Sequence, residues 1–316
     1  IRHSLERAKM FSSYMPCVKI WHQWEHSIFP DNNLRVGFPI FELDRLTNLE
    51  KWNLNSLDLL LVCSHWAATV CEENNIKVRT EVVPLGVDSE VFRPLPKKQK
   101  NKTVFLCIGK WEKRKGHDVL GQIFNSAFTT KDNVELWLLP TNIFAAPEKT
   151  KEWEELYTLL PIGSKIKILP RQNTQEQLNY LINQADFLVS PSRAEGWNLP
   201  LLEGMACGIP PITTNYSGHT EFCNSSNSLL VDIQEFEEAN DGIWFKPGGI
   251  VNQGRWAKLG KDVIEQFVNH FRTAHQLNLE QSNKLKGIKE ACVKTSEKFS
   301  WVNSATKLLN HISHNN

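Results

Sequence analysis

The sequence lacks an excess of charge of either sign, with 36 lysines and arginines against 35 aspartates and glutamates. Without a broad field of one sign, neither nucleic acid nor an anionic membrane is favoured as a partner. No apolar run approaches the roughly 18 residues that cross a bilayer, and no signal peptide pattern is found. These absences predict a cytoplasmic protein that captures any anionic ligand by local geometry.

Cysteine pairs at metal-binding spacing are also missing. The seven cysteines are odd in number and form no C-x-x-C pair. This pattern is typical of reduced thiols in the cytoplasm, and it argues against a disulfide framework or a zinc site. Because Ile1 is not a methionine, we expect the sequence to begin partway through a longer protein.

Two domains are indicated by a chain of 316 residues with 41% hydrophobic content. The Pro- and Lys-rich stretch PLPKKQKNK, residues 94–102, has no apolar periodicity and is interpreted as a linker. We therefore place an N-terminal domain at 1–95 and a C-terminal domain at 102–296. A closing helix within 297–316 is expected to pack back on the N-terminal domain.

Short apolar runs that alternate with helical patterns occur in both domains. Such runs indicate parallel strands buried on both faces. The predicted strands are 17–21, 34–39, 58–64, 81–85, 103–109, 134–139, 165–169, 186–190, 210–213 and 228–231. The predicted helices are 65–75, 175–185, 301–312 and a segment within 254–271 whose apolar face is Trp256, Leu259, Val263, Phe267 and Phe271.

The fold class that follows is α/β, with two Rossmann-like domains whose parallel sheets face a cleft. Ligands of such sheets bind beyond the carboxyl ends of the strands. Motifs that follow predicted strands are therefore the candidate functional sites.

The loop GKWEKRKG, residues 109–116, follows one predicted strand and precedes a helix. Gly109 and Gly116 permit a tight turn, and Lys110, Lys115 and their basic neighbours surround a helix N-terminus, which favours phosphate. The loop matches neither G-x-x-x-x-G-K-[ST] nor G-x-G-x-x-G, so nucleotide hydrolysis and dinucleotide binding lose support. A solvated, charged loop is the alternative interpretation.

The stretch SRAEGWNLPLLEGMACG, residues 192–208, follows the strand at 186–190. Pro200 fits the first turn of a helix, and we expect Glu203 in that same turn. Glu195 is expected on a loop outside the core, where it would meet a sugar ring, while Glu203 would accept hydrogen bonds from ribose hydroxyls. Gly196 would let the backbone approach a ligand closely. The alternative is that both carboxylates merely favour the positive end of the helix.

Two weaker candidates lie elsewhere. Glu221, in NYSGHTEF, follows the strand at 210–213 and adds a polar group to the same edge. His22, in WHQWEHS, is the candidate catalytic residue of the N-terminal domain, as a general base or an acceptor ligand. An ordinary surface histidine is the alternative.

These motifs together resemble the group 1 (family 4) retaining glycosyltransferases of the GT-B fold. The matching segments, in the order that the family has them, are VVPLGVDSEVFRP, GKWEKRKG, EGWNLPLLE, SGHTE and SEKFSWVNSATKLL. FPIFELDRLTNLEKWNLNSLDLLLVCS, residues 38–64, also resembles the end of the family's acceptor domain. The resemblance covers roughly residues 36–312.

The resemblance implies roles for several residues. Lys115 would contact the diphosphate of a nucleotide sugar, with Gly109 and Lys110 in the same loop. Glu203 would bind the ribose, and Glu195 would lie by the transferred sugar. Sugar or phosphate would be held by the backbone amides of Gly196, Trp197, Asn198 and Leu199.

The sequence departs from the family at two points. Lys110 stands where an arginine is usual, and it keeps the charge while losing bidentate geometry. Only about 95 residues precede the linker, and the family's N-terminal glycine-rich loop is missing, so we expect an incomplete N-terminal domain.

The predicted function is retaining transfer of a hexose from a UDP-, GDP- or ADP-sugar to a sugar, lipid or glycan acceptor. The resemblance implies no metal ion and no other cofactor, and it leaves room for a peripheral membrane contact. A sugar-nucleotide epimerase and a non-catalytic nucleotide-binding remnant of the fold are the alternatives. The sequence leaves the donor, the acceptor and the oligomeric state open.

Overall fold

The computed structural model describes residues 16–29, 34–96, 101–140 and 146–313, which form two α/β halves. The N-terminal half contains a parallel sheet in the order β1-β2-β3-β4. Its strands are β1 (Cys17–Lys19), β2 (Arg35–Gly37), β3 (Leu59–Val62) and β4 (Thr80–Val82). All four residues of β3 are buried, because helices cover the central strands of the sheet.

Two helices of this half begin at well-formed caps. In α1 (Asn48–Asn55), the Thr47 side chain and Glu50 form a reciprocal capping box. In α2 (His65–Glu73), the Ser64 hydroxyl accepts from the backbone amide of Ala67. The sequence analysis predicts α2 and does not predict α1.

The C-terminal half contains a parallel sheet in the order β10-β9-β8-β5-β6-β7. Its strands are β5 (Thr103–Ile108), β6 (Val134–Leu139), β7 (Ile166–Ile168), β8 (Phe187–Ser190), β9 (Pro211–Thr214) and β10 (Leu229–Val231). The helices between them are α3 (His117–Ala127), α4 (Pro147–Thr158), α5 (Gln175–Gln184) and α6 (Leu199–Ala206). Each predicted strand of this half is present: β6 has the predicted bounds, β9 is shifted by one residue, and the other four strands are one or two residues shorter than predicted.

An antiparallel hairpin follows β10 and was not expected. It pairs β11 (Phe236–Glu238) with β12 (Arg255–Ala257), and α7 (Lys261–Leu279) comes next. The predicted helical face at 254–271 is therefore wrong for Trp256 and Leu259, which precede the helix. Trp256 lies in β12, where its indole N–H donates to Glu237 at 3.0 Å, so cross-strand pairing overrides the helical spacing. Val263, Phe267 and Phe271 are buried along α7, as predicted.

The end of the chain returns to the N-terminal half. After α8 (Asn283–Ser296), the carbonyl of Phe299 accepts from the amide of Val87 at 2.9 Å, and α9 (Trp301–Ser313) follows. The Ser304 hydroxyl donates to the carbonyl of Pro84 at 2.6 Å. The domain boundaries stay a prediction, and part of the proposed linker, 97–100, lies outside the described residues.

None of the helices in the described ranges has both the length and the apolar character needed to traverse a bilayer.

Candidate functional site

The two main candidate loops meet at the carboxyl edge of the C-terminal sheet. Strands β5 and β8 are neighbours, with Phe105 paired to Phe187. The loops that follow these strands are therefore adjacent. The amide of Arg193 donates to the carbonyl of Arg114 at 2.7 Å, which joins the loops through their backbones.

The Arg193 side chain joins the same loops a second time. Its guanidinium donates to both oxygens of Asp118, in the first turn of α3, at 2.7 and 2.8 Å. It also donates to the carbonyl of Lys113 and to Glu237 of the hairpin. A part-buried, bidentate Arg–carboxylate pair fixes the relative position of its two segments.

Glu195 lies at the centre of this junction and is 4% exposed. One of its oxygens accepts from Lys115 Nζ at 2.7 Å and from the Ser192 hydroxyl at 2.6 Å, and the other accepts from Arg114 at 3.0 Å. Burial opposes its ionisation, but Lys115 and Arg114 outweigh burial and hold the pKa of Glu195 at about 2. Glu195 is therefore a carboxylate at neutral pH. The expectation that it lies outside the core is wrong, because its two cationic partners draw it inward.

Arg114 is a site residue that the sequence analysis did not select. Its guanidinium is buried and contacts three carboxylates: Glu195, Glu112 at 3.1 Å, and Glu42 of the N-terminal half at 4.0 Å. Burial disfavours its charge, but these carboxylates raise the pKa of Arg114 above its usual value. Glu42 was also missed, and only the tertiary fold brings it to this loop.

Two cavities adjoin the charged cluster of Lys115, Arg114 and Glu195, and both are lined by Lys110 and Arg114. The first, of about 360 Å³, is named the Lys115 cavity, and it is lined by Ile108, Gly109, Lys110, Arg114, Lys115, Leu139, Arg171, Gln172, Leu178 and Pro200. The second, of about 230 Å³, is named the His22 cavity, and it is lined by His22, Trp24, Glu42, Lys110, Glu112, Arg114, Trp244, Phe245 and Asn252. A larger groove of about 560 Å³, along α7, contains none of the predicted site residues.

The phosphate-loop residues occupy different environments. Lys110 is exposed and lies 3.7 Å from Glu112, whereas Lys115 is mostly covered and paired with Glu195. Gly116 caps α3 in the left-handed region, with φ of 75°. A β-carbon there would lie 2.1 Å from the carbonyl of Pro191, so only glycine fits this close approach. The carbonyl of Gly109 accepts from His117 Nε2 at 3.1 Å.

The segment from Gly196 to Leu199 carries a row of backbone donors. Within the described part of the chain, none of its four N–H groups donates a hydrogen bond. Asn198 precedes α6 in the left-handed region, with φ of 76°, and its side chain donates to Ser190 at 3.0 Å. Unpaired amides at the start of a helix favour an anion.

Two members of this segment also serve packing. Gly196 approaches the N-terminal half so closely that a β-carbon would lie 2.4 Å from the Ile40 side chain. The Trp197 ring is 2% exposed and packs on Phe222 and Phe299. Trp197 is thus a core side chain whose backbone alone reaches the site.

Glu203 is the fifth residue of α6, so its expected place in the first turn is wrong. The helix begins one residue before Pro200, which moves Glu203 into the second turn. It shares a helix face with Pro200, which lines the Lys115 cavity. Burial raises the pKa of Glu203 to about 7. Among the described residues its carboxylate has no hydrogen-bond partner.

The remaining candidates contact the N-terminal half or belong to it. Glu221 accepts from the backbone amide of His65 at 2.8 Å and faces its ring nitrogen at 2.9 Å. It lines neither named cavity. His22 is exposed and stacks on Trp24, with ring centroids 4.3 Å apart and planes 4° apart, at the wall of the His22 cavity. Over the described ranges, no group of three or more His, Cys, Asp or Glu residues is arranged to hold a metal ion.

Two α/β halves, each built on a parallel sheet, meet at a charged cluster and give this chain the GT-B fold. Sucrose-phosphate synthase from Thermosynechococcus elongatus matches with a TM-score of 0.71 and 16% identity, over 99% of this chain and 76% of that one. HepE from Anabaena, solved with UDP and glucose, matches with a TM-score of 0.65 and 17% identity, over 90% and 72%. The predicted fold class is confirmed.

The sequence identifies the family. Residues 88–244, about half of the chain, match the family model described as Glycosyl transferases group 1. Through this domain the chain belongs to the group 1 glycosyl transferases, as the motifs predict. Sucrose synthase from Melioribacter roseus is 27% identical over 137 residues, which are 42% of this chain and 17% of that protein. The chain spans 36% to 55% of the length of other curated relatives.

Proposed function

We propose that this chain performs retaining transfer of a hexose from a nucleotide diphosphate sugar to an acceptor hydroxyl. One observation carries the proposal: two cavities, of about 360 and 230 Å³, share the wall residues Lys110 and Arg114, beside the charged cluster of Lys115, Arg114 and Glu195. A donor and an acceptor in these cavities would meet at the cluster. The UDP and glucose in HepE support a donor of this class, and GDP- and ADP-sugars remain alternatives.

The Lys115 cavity is the proposed place of the nucleotide. Its wall carries the cations Lys110, Lys115 and Arg171, which suit a diphosphate and its nucleotide. The backbone amides from Gly196 to Leu199 would donate hydrogen bonds to phosphate or sugar oxygens, as helix N-termini do. Glu203, on the face shared with Pro200, would accept hydrogen bonds from the ribose hydroxyls.

Transfer would proceed at the edge of the charged cluster. The bond between the anomeric carbon and the diphosphate oxygen breaks, and its electron pair stays on the diphosphate. The acceptor oxygen bonds to the same face of the anomeric carbon, and its proton leaves with the diphosphate. Lys110 and Lys115 would stabilise the charge that develops on the leaving group, which is preorganised electrostatic catalysis.

Glu195 contributes to this chemistry as a positioning residue. Its carboxylate lines neither named cavity and instead holds Lys115 and Arg114. Direct contact between Glu195 and the sugar stays a prediction. So do the roles of His22 as a catalytic base or acceptor ligand and of Glu221 in donor binding, although the Glu221 carboxylate is already engaged by His65.

We also propose a cytoplasmic, metal-independent enzyme. All seven cysteines are free thiols, which supports a reducing compartment. Because lysines can neutralise the diphosphate, activity is expected to survive a chelating excess of EDTA, on the order of 5–10 mM. Loss of activity in EDTA that added Mg²⁺ or Mn²⁺ restores would overturn the metal-independent part of the proposal.

The experiment is release of nucleotide from UDP-, GDP- and ADP-hexoses, with product analysis in the presence of saccharide acceptors. Lys115→Ala is expected to lower kcat/KM roughly 100-fold, because one stabilising cation is removed. Lys113→Ala is the matched control, since Lys113 lies in the same loop with its ammonium over the Trp256 ring at 5.9 Å. It should retain wild-type activity.

The alternatives give different products. A nucleotide sugar that binds without turnover would indicate a non-catalytic module, and free nucleotide without a transfer product would indicate an epimerase. Equal kcat/KM values for Lys115→Ala and Lys113→Ala would remove Lys115 from the donor site.

A further inference from the structure

The hairpin that follows β10 fastens the C-terminal half to the N-terminal half. We name residues 232–260, between β10 and α7, the insert. Arg255 donates to Asp44 twice, from its backbone amide at 2.7 Å and from Nε at 2.9 Å. Arg45 pairs with Glu238 at 2.9 Å. These contacts hold the insert against the segment that carries Glu42.

A buried carboxylate fixes the tip of the insert. Glu50, in the first turn of α1, is 0% exposed. One of its oxygens accepts from the amide of Asn252 at 2.8 Å and from the Gln23 side chain at 3.1 Å. Gln23 also donates to the Asn252 side chain at 3.1 Å. Because breaking charge-assisted bonds to a buried carboxylate is costly, residues 21–25 and the Asn252 region keep a fixed spacing.

The His22 cavity occupies the space between these two segments. His22, Trp24 and Glu42 come from the N-terminal half, and Trp244, Phe245 and Asn252 come from the insert. The volume of about 230 Å³ is below the roughly 300–1,000 Å³ of sites for drug-sized ligands, so a single ring-sized unit fits.

The chemistry of the walls selects the occupant. The stacked rings of His22 and Trp24 offer a flat aromatic surface, and Trp244 is 54% exposed. Apolar C–H faces pack on such rings, while hydroxyl groups donate to carboxylates such as Glu42. A compound with both features is a saccharide.

The charges in the cavity disfavour an anionic occupant. Arg114 is already shared among three carboxylates, and Lys110 lies beside Glu112. In the proposed function the donor diphosphate takes up the charge of Lys110. Glu42 and Glu112 then remain on the acceptor side, and they would repel a phosphate or a carboxylate.

We propose that the His22 cavity binds the acceptor, that the acceptor is a neutral saccharide, and that the insert supplies half of its wall through Trp244, Phe245 and Asn252. This inference rests on the proposed function for the transfer step only. Binding of a saccharide in the cavity does not depend on it. The acceptor hydroxyl would enter beside Lys110, and its oxygen and proton would follow the course already described.

The test compares the wild type with Trp244→Ala, Trp244→Phe and Ile243→Ala. Methyl α-glucoside, methyl α-mannoside and cellobiose serve as neutral probes, and glucose 1-phosphate serves as the anionic probe. In transfer assays, Trp244→Ala is expected to raise the acceptor KM roughly tenfold and leave the donor KM unchanged, because one stacking face is lost. Trp244→Phe should recover most of the affinity. Ile243 is 71% exposed and lines neither named cavity, so Ile243→Ala is the matched control.

Direct saccharide binding, measured by saturation-transfer NMR without donor, separates this inference from the proposed function. Trp244-dependent binding of a neutral glycoside by a chain that turns over no donor would support the site and overturn the transfer. Donor turnover with an acceptor KM indifferent to Trp244, or with glucose 1-phosphate as the preferred acceptor, would overturn the inference and leave the transfer standing.

Discussion

Replacing Glu203 by glutamine is expected to change stability and nucleotide binding in opposite directions. Burial raises the pKa of Glu203 from 4.5 to about 7 in the folded chain. Between these two values the folded state binds more protons than the unfolded state, so stability falls as the pH rises. Because glutamine cannot ionise, the Glu203→Gln protein does not lose this stability as the pH rises. The same change removes a carboxylate proposed to accept from both ribose hydroxyls.

The magnitude follows from the two pKa values. At 1.36 kcal/mol per pH unit, the ionisation penalty at pH 8 is at most about 3 kcal/mol, whereas at pH 5 it is about 1 kcal/mol. For a chain of this size, roughly 2 °C of Tm corresponds to each kcal/mol. Glu203→Gln is therefore expected to melt roughly 6 °C above the wild type at pH 8 and roughly 2 °C above it at pH 5.

The assay is thermal unfolding of both proteins at the two pH values, followed by titration with UDP, GDP and ADP. Glu290→Gln is the control, because Glu290 is exposed on α8. Its replacement should change the free energy of unfolding by no more than about 0.5 kcal/mol. A stability gap between wild type and Glu203→Gln that is the same at pH 5 and pH 8 would refute the reasoning about burial. Unchanged nucleotide affinity would remove Glu203 from the ribose site.

Two further outcomes are expected. Glu195→Ala should destabilise the protein by about 3–5 kcal/mol in urea unfolding, because Arg114 and Lys115 lose their shared buried partner; a loss below about 1 kcal/mol would mean that the cluster is solvated. Gly218→Ala should lower both stability and donor binding, because its β-carbon would lie 2.0 Å from the carbonyl of Gly196; an unchanged Tm would show that the two loops separate easily.

Much of the fold can be predicted from local sequence signals. Short buried runs such as 103–108 and 187–190 indicate parallel strands, because β-strands covered on both faces have nearly continuous apolar sequence. The hairpin gives no such signal. Its strands have three residues each, and Arg255 and Glu238 pair with Asp44 and Arg45, far away in sequence.

The candidate site shows the same division. Lys115 and Glu195 can be selected from the sequence because each follows a strand on a loop with glycine. Arg114 resembles any basic loop residue in the sequence, and its burial depends on Glu42, which the N-terminal half supplies. Similarly, Gly196 suggests an open approach for a ligand, whereas the structure packs it against Ile40. Motif spacing does not predict the contacts between the two halves.

The return of the chain at Phe299 gives the protein a second tether beside the first. The connection between the halves leaves the N-terminal side after Val87, and the carbonyl of Phe299 accepts from the amide of that same residue. Two crossings so close together define a hinge axis. They permit rotation of the halves about that axis and resist translation or rotation about others. Any opening that moved Glu42 away from Arg114 would also have to break the contacts of the insert with Asp44 and Glu50.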